Sequence, residues 1–411
     1  MQIKRLRNFL IFACVFLWVI MMGSKNVYTA EIVELIGVFN ATKTQVSMAM
    51  TWYFITYSTV QVVMFFIMDK MNIKWFLSVS MFLSGIVTVL IAFMTNLWSM
   101  YWLLALNGIL QAGVWGMCIA VLKKYLTKEQ MPFANMIMNV GMAVAGIISY
   151  GSSALFVSFK RWDLPFILLG IVLSIAALLF FVAVHLCHKY IDCNLEEDSI
   201  ASENHELDLL PLTTKLKKTI FFVVSFLVSL LIHSVFYAGM NWMPNLLTEI
   251  HHLPNEMGIL LSVLAPVATI LGSIFAVRHC EKHKNFIFVA LIYMAITFVF
   301  ALLLVLVYAS NLYVSAITLI IFLVVAQGDV TIIFSVLSLK MSKYVNAGAH
   351  SGLMNAAGGY AAGFSPTIAG AIIDGCGWFS LYLSIFGICL FLLIAFAGLF
   401  FATKKRATLH K

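Results

Sequence analysis

Apolar runs of about twenty residues recur from one end of this chain to the other, and they constrain its fold more than any other feature. Twelve can be placed, at 9–35, 46–68, 75–94, 98–122, 131–156, 164–186, 219–247, 257–277, 285–308, 313–339, 347–373 and 378–402. Each matches the hydrocarbon thickness of a bilayer. Each must be helical there, because lipid offers no partner for an open backbone N–H or C=O. Composition agrees: 63% of the residues are hydrophobic and 10% are charged. A soluble chain cannot bury that much apolar side chain. The expected fold class is an all-α membrane protein of twelve transmembrane helices.

Lysine and arginine set the orientation. If the N-terminus is cytoplasmic and the spans alternate, 21 of the 25 basic residues face the cytoplasm. Only Lys43, Lys160 and Arg161 face outward, and Lys25 falls inside a span. Losing or adding one helix would scramble this asymmetry, so it also supports twelve spans. Both termini are expected in the cytoplasm, in a multi-pass protein of the cell (plasma or inner) membrane. The start, Met1 to Arg7 followed by an apolar run, looks like a secretory signal. No small-residue cleavage site follows before Lys25, so it reads as an uncleaved first span.

Residues 188–218 form the one long hydrophilic stretch and hold seven of the seventeen acids. They read as a solvated cytoplasmic linker between an N-terminal half, 1–187, and a C-terminal half, 219–411. The halves look duplicated. Gly23 and Gly239, Gln111 and Gln327, Asn139 and Asn355, and Trp162 and Trp378 are each 216 positions apart. Two six-helix halves around a midplane site are a common plan of secondary transporters.

The loop after the second span reads Asp69-Lys70-Met71-Asn72-Ile73-Lys74. It resembles the Gly-x-x-x-Asp-Arg/Lys-x-Gly-Arg/Lys-Arg/Lys signature of the major facilitator superfamily. Asp69, Lys70 and Lys74 fit. Phe65 and Asn72 replace the two glycines, and Asn tolerates a positive φ. The glycine-rich stretch from Gly352 to Gly370 fits close helix packing. Within the superfamily the chain is most similar to the organophosphate:phosphate antiporter branch. The similarity lies in Lys25-Asn26, in Gln111-Ala-Gly-Val-Trp115-Gly-Met-Cys118, and in Asn241-Trp242-Met-Pro244. Ser24 and Phe236 stand where that branch has arginines. Ala120 stands at its basic position on the fourth span, and Asn241 at its acid on the seventh. The guanidinium forks that suit phosphate are therefore absent. The resemblance implies a major facilitator fold of two pseudo-symmetric halves, with spans one, four, seven and ten lining a central cavity. It also makes Asp69 and Lys70 part of an inner gate.

The polar residues of those four spans are the site candidates. Lys25 costs about 2.5–3.5 kcal/mol in mid-span and marks an anion anchor or coupling group, or else a snorkelling structural lysine. Trp18 shares its helical stripe. Asn107, Gln111, Trp115 and Cys118 form one face; Gln111 either lines the cavity or bonds helix to helix. His233, Tyr237 and Asn241 repeat every four residues, and Gln327, Thr331 and Ser335 form the matching stripe on the tenth span. Asp329 is the only acid near the middle of a span, either a coupling carboxylate or a buried structural acid. It lies about 200° round the helix from Gln327. Glu31 and Glu34 are expected to be wetted at the outer end of the first span. Cys187 and Cys193 near His185 and His188, and His279, Cys280 and His283, read as helix ends at the membrane surface, not metal sites.

These features point to a secondary active transporter of a small organic solute, more specifically an organic anion, working by alternating access with a proton or ion as a possible companion. No Gly-x-x-x-x-Gly-Lys-Ser/Thr loop and no His-Glu-x-x-His motif occurs. No enzyme activity, cofactor, metal or nucleic-acid partner is expected; the partners are the solute and the lipid bilayer. Two other readings remain: efflux of hydrophobic compounds through an aromatic and Met-rich cavity, and a non-transporting receptor of the same fold.

Overall fold

The computed structural model describes residues 2–67, 70–127, 129–191, 215–283, 285–337 and 347–409. Ten helices among them are long and apolar enough to cross a bilayer. One of these, Gly352–Phe401, is two arms joined at Gly377, whose φ of +78° breaks the helix. Lys43–Ile67, a helix of 25 residues, occupies the second position in the chain. The result is the expected twelve spans.

In chain order the helices are α1 (Gln2–Ala30), α2 (Ile32–Val38), α3 (Lys43–Ile67), α4 (Ile73–Ile91), α5 (Leu97–Gln111), α6 (Val114–Tyr125), α7 (Met131–Val157) and α8 (Leu164–Tyr190). After the linker come α9 (Lys215–Asn241), α10 (Met243–Glu249), α11 (Asn255–Leu261), α12 (Leu264–Lys282), α13 (Phe286–Val307), α14 (Leu312–Thr331) and α15 (Ala347–Leu409). A π-helical turn, Ile332–Val336, extends α14.

Four spans are therefore broken, the seventh between α9 and α10 at Trp242. The first bends at Glu31. The fourth bends at Gly113, whose φ of +81° suits a residue without Cβ. The eighth breaks between α11 and α12. Asn72, expected at a positive φ, has φ −77° and instead caps α4, its side chain accepting from Trp75 N–H. Much of the linker lies outside the described residues, as does Asp69.

The chain forms two compact units: Met1–Ser199 with Pro254–Pro266, and Ile200–Leu253 with Val267–Lys411. In the first, α1 packs on α7 and α8, α4 on α8, and α3 on α5. Gly85 and Gly170 let α4 and α8 meet backbone to backbone; a Cβ on either would lie under 3 Å from the other's carbonyl oxygen. The late segment α11 also belongs here, with Ile259 packed among Ala30, Tyr150, Ala154 and Val157.

In the second unit α9 and α13 pack on α15, and α13 on α14. Each unit has a serine that bonds to a neighbouring helix backbone. Ser149 Oγ on α7 donates to Gly23 O on α1 at 2.9 Å, and Ser365 Oγ on α15 donates to Ser234 O on α9 at 2.6 Å. Ser149 and Ser365 are again 216 positions apart.

Candidate functional site

Each unit carries part of the candidate set, and hydrogen bonding sorts it. In the first unit Lys25 is half-buried, its Nζ 5.3 Å from the centroid of the Phe54 ring. No carboxylate pairs with it among the described residues. The quadrupole of the ring partly replaces a counter-ion.

Gln111 is wholly buried, and its amide is fully engaged. Tyr53 Oη donates to its Oε1 at 2.6 Å, and its Nε2 donates to Ser84 Oγ at 2.9 Å and to Asn107 Oδ1 at 3.2 Å. Asn107 Nδ2 donates onward to Thr88 Oγ1 at 3.1 Å. This network ties α3, α4 and α5 together inside the unit. Ser24, on α1, touches its edge at 3.4 Å.

Trp18 is buried, and its indole N–H donates to Met138 O on α7 at 3.1 Å. Its ring lies against Trp115, centroids 4.9 Å apart. Trp115 is half-buried, and its own N–H has no hydrogen-bond partner among the described residues.

In the second unit His233 Nδ1 donates to Ser229 O at 2.7 Å, one turn back on α9. Its ring passes beside Gly358, where a Cβ would lie 2.9 Å from Nε2. Tyr237 stacks on His233 at 6.3 Å. The Tyr237 hydroxyl and the Asn241 amide have no hydrogen-bond partner among the described residues. Trp242 is buried and donates to Pro366 O at 2.9 Å, so it fixes the end of α9 against α15.

On α14, Gln327 Nε2 donates to Ser273 Oγ on α12 at 3.3 Å, and Thr331 Oγ1 joins the same serine at 3.0 Å. Asp329 leaves the helix on another side. It is buried, and Thr297 Oγ1 on α13 donates to its Oδ2 at 2.6 Å. Gly328 does not break the helix, so Gln327 and Asp329 address different neighbours, as their angular separation requires. The Ser335 side chain lies outside the described residues. Lys70 is exposed at the turn before α4.

An expectation for the first span is also overturned. Glu31 is not wetted: it is completely buried, and neither carboxyl oxygen has a hydrogen-bond partner among the described residues. The break between α1 and α2, with α7 and α11 packed around Ala30, encloses it. Glu34 accepts from Asn255 Nδ2 at 2.6 Å. No periodicity in the first span signals that a segment over 200 residues later closes on it.

The Major Facilitator Superfamily model matches residues 11–355. The chain is 25% identical over 238 residues to a zebrafish (Danio rerio) protein, glucose-6-phosphate exchanger SLC37A2. That match covers 51% of this chain and 48% of the relative, so the chain spans about half the length of the curated protein it matches. Among solved structures, a bacterial homolog of the human lysosomal transporter Spinster, in an inward-facing and occupied conformation, superposes with a TM-score of 0.73 at 13% identity. It covers 97% of both chains. The nucleoside transporter NupG superposes with a TM-score of 0.68 at 14% identity, covering 96% of this chain and 99% of that one. Twelve apolar spans in two units, and a family match over most of the length, lead to one conclusion: the chain belongs to the Major Facilitator Superfamily.

Proposed function

We propose that this protein moves a small organic anion across the cell membrane by alternating access of its two halves, with Lys25 as the anion anchor. The observation that carries the reading is the state of Lys25: an ammonium within a span, half-buried, with an aromatic ring as neighbour and no acid partner among the described residues. Such a charge is costly unless a ligand or water serves it.

Trp115, Tyr237 and Asn241 supply further contacts in this reading, because each keeps a polar group without a protein partner among the described residues. Trp18, Gln111, His233 and Gln327 position them, since their polar atoms are engaged within their own unit. Asp329 carries a coupling proton, and Asp69 with Lys70 belongs to the gate. Both termini are cytoplasmic.

The name of the zebrafish relative suggests a phosphorylated sugar. Ser24, Phe236 and Ala120 stand where guanidinium or ammonium groups would grip a phosphate dianion, so a singly charged carboxylate is the better match.

The test is the thermal stability of the purified protein against phosphate esters, carboxylates, neutral sugars and hydrophobic cations. A ligand at roughly 100 times its Kd stabilises by about 2.7 kcal/mol. An anion that stabilises the wild type and not Lys25→Ala is expected. Equal responses of the two proteins, or stabilisation by cations alone, would overturn the anchor.

A further inference from the structure

A cleft of about 340 Å³ opens between α12, α13 and α14, within the second unit. Its walls are apolar: Phe275, Val289, Ile292, Ile296, Val324 and Val325. Its polar groups are His279, His283 and Tyr293. We propose that this cleft binds an anionic phospholipid, with one acyl chain along the apolar wall and the phosphate at His279 and His283.

Several observations converge. The first is access. Phe275, Ile292 and Ile296 are exposed within apolar spans, at depths where the surroundings are acyl chains. A ligand enters sideways from the bilayer. The second is length. From His283 to Gly272 is eleven residues, roughly 16 Å along a helix. One leaflet of a hydrocarbon core about 30 Å thick is close to that.

The third is charge. The two histidines stand where α12 reaches water, with exposed Arg278 and Lys282 on the same turns and Glu281 as the single acid between them. A basic mouth above an apolar slot matches a negatively charged head on a hydrocarbon tail, and neither half of that molecule alone. The fourth is orientation. His279 Nδ1 and Tyr293 Oη share a hydrogen bond of 2.8 Å. With the hydroxyl donating, the ring proton sits on Nε2 and is free for a phosphate oxygen.

The cleft faces lipid, and none of the groups assigned to the transported anion lines it. Its occupancy therefore stands or falls separately from the anion reading.

The experiment uses the full-length protein in detergent, with bound lipid read by native mass spectrometry and stability by thermal unfolding. The probes are dioleoyl phosphatidylglycerol, dioleoyl phosphatidylcholine and glycerol 3-phosphate. Phosphatidylglycerol should bind and stabilise more strongly than phosphatidylcholine. The double variant His279→Ala/His283→Ala should lose roughly ten-fold in affinity for it, equivalent to about 1.4 kcal/mol. Ile296→Trp, which fills the slot, should lose both lipids. Equal binding of the two lipids, an unchanged affinity in the double variant, or the same stabilisation by glycerol 3-phosphate alone would each overturn the proposal. If the double variant does not fold, the wild-type comparison of the two lipids and the Ile296→Trp response decide it.

Discussion

Lys25, an ammonium held over a phenyl ring, and Glu31, a buried acid with no hydrogen-bond partner among the described residues, are both costly to place in the first unit. Replacing Lys25 by Met keeps the packing and removes the charge. Lys25→Met should raise the melting temperature while losing every anion-dependent stabilisation, a trade of function against stability. Glu31→Gln should also stabilise at pH 7, by about 1–3 kcal/mol, because burying the acid costs either its charge or its protonation and an amide avoids both. A melting temperature unchanged or lowered in either variant would show that the group has a partner in the folded state. At the surface, Arg161 forks onto Asp163 at 2.9 and 2.8 Å and holds that carboxyl below the usual aspartate range. A depressed carboxyl contributes stability above its unfolded pKa and loses it as pH falls through the folded one. Asp163→Asn should therefore cost under about 1 kcal/mol at pH 7 and nothing at roughly pH 2. Thermal melts at the two pH values check this.

Elements are joined here by small residues and broken by particular turns. Gly85 and Gly170 bring α4 and α8 into backbone contact. Gly85→Val inserts side-chain atoms where no gap exists and should cost about 1–3 kcal/mol or more. Gly375→Ala, at a site with open space, should be neutral. The pair of melting temperatures separates packing from a general glycine effect. The glycine content was visible in the chain; which glycine faces which helix was not. The break at Gly113 has a local cause in its φ of +81°. The break at Glu31 has none in the sequence, because α7 and α11 enclose it from far along the chain. Gln111 shows the same limit. Its pattern allowed a cavity wall or a tie between helices, and only the positions of Tyr53, Ser84 and Asn107 show the amide engaged.

For the molecule as a whole, the distribution of basic residues makes a topological prediction. Among the described cysteines Cys376 alone is exposed; Cys14, Cys118, Cys187, Cys280 and Cys389 are buried. Cys376 sits at the bend that joins the two arms of α15, which the alternation of spans puts outside. A membrane-impermeant maleimide added to intact cells should label the wild type and not Cys376→Ser. A reporter fused to the C-terminus should be active in the cytoplasm. Labelling only after lysis would reverse the orientation.

Span number and helical class follow from local chemistry. Hydrocarbon demands closed backbone hydrogen bonds over a set length, and neither demand depends on what packs against what. Family membership follows from the same linear pattern. The division of polar residues into engaged and available groups depends on distance between helices. Lys25, Trp115, Tyr237 and Asn241 differ from Gln111, Trp18 and Gln327 in nothing that periodicity reports. Tertiary packing alone brings Met138 to one indole and leaves the other without an acceptor among the described residues, and it decides which buried polar groups remain for a ligand.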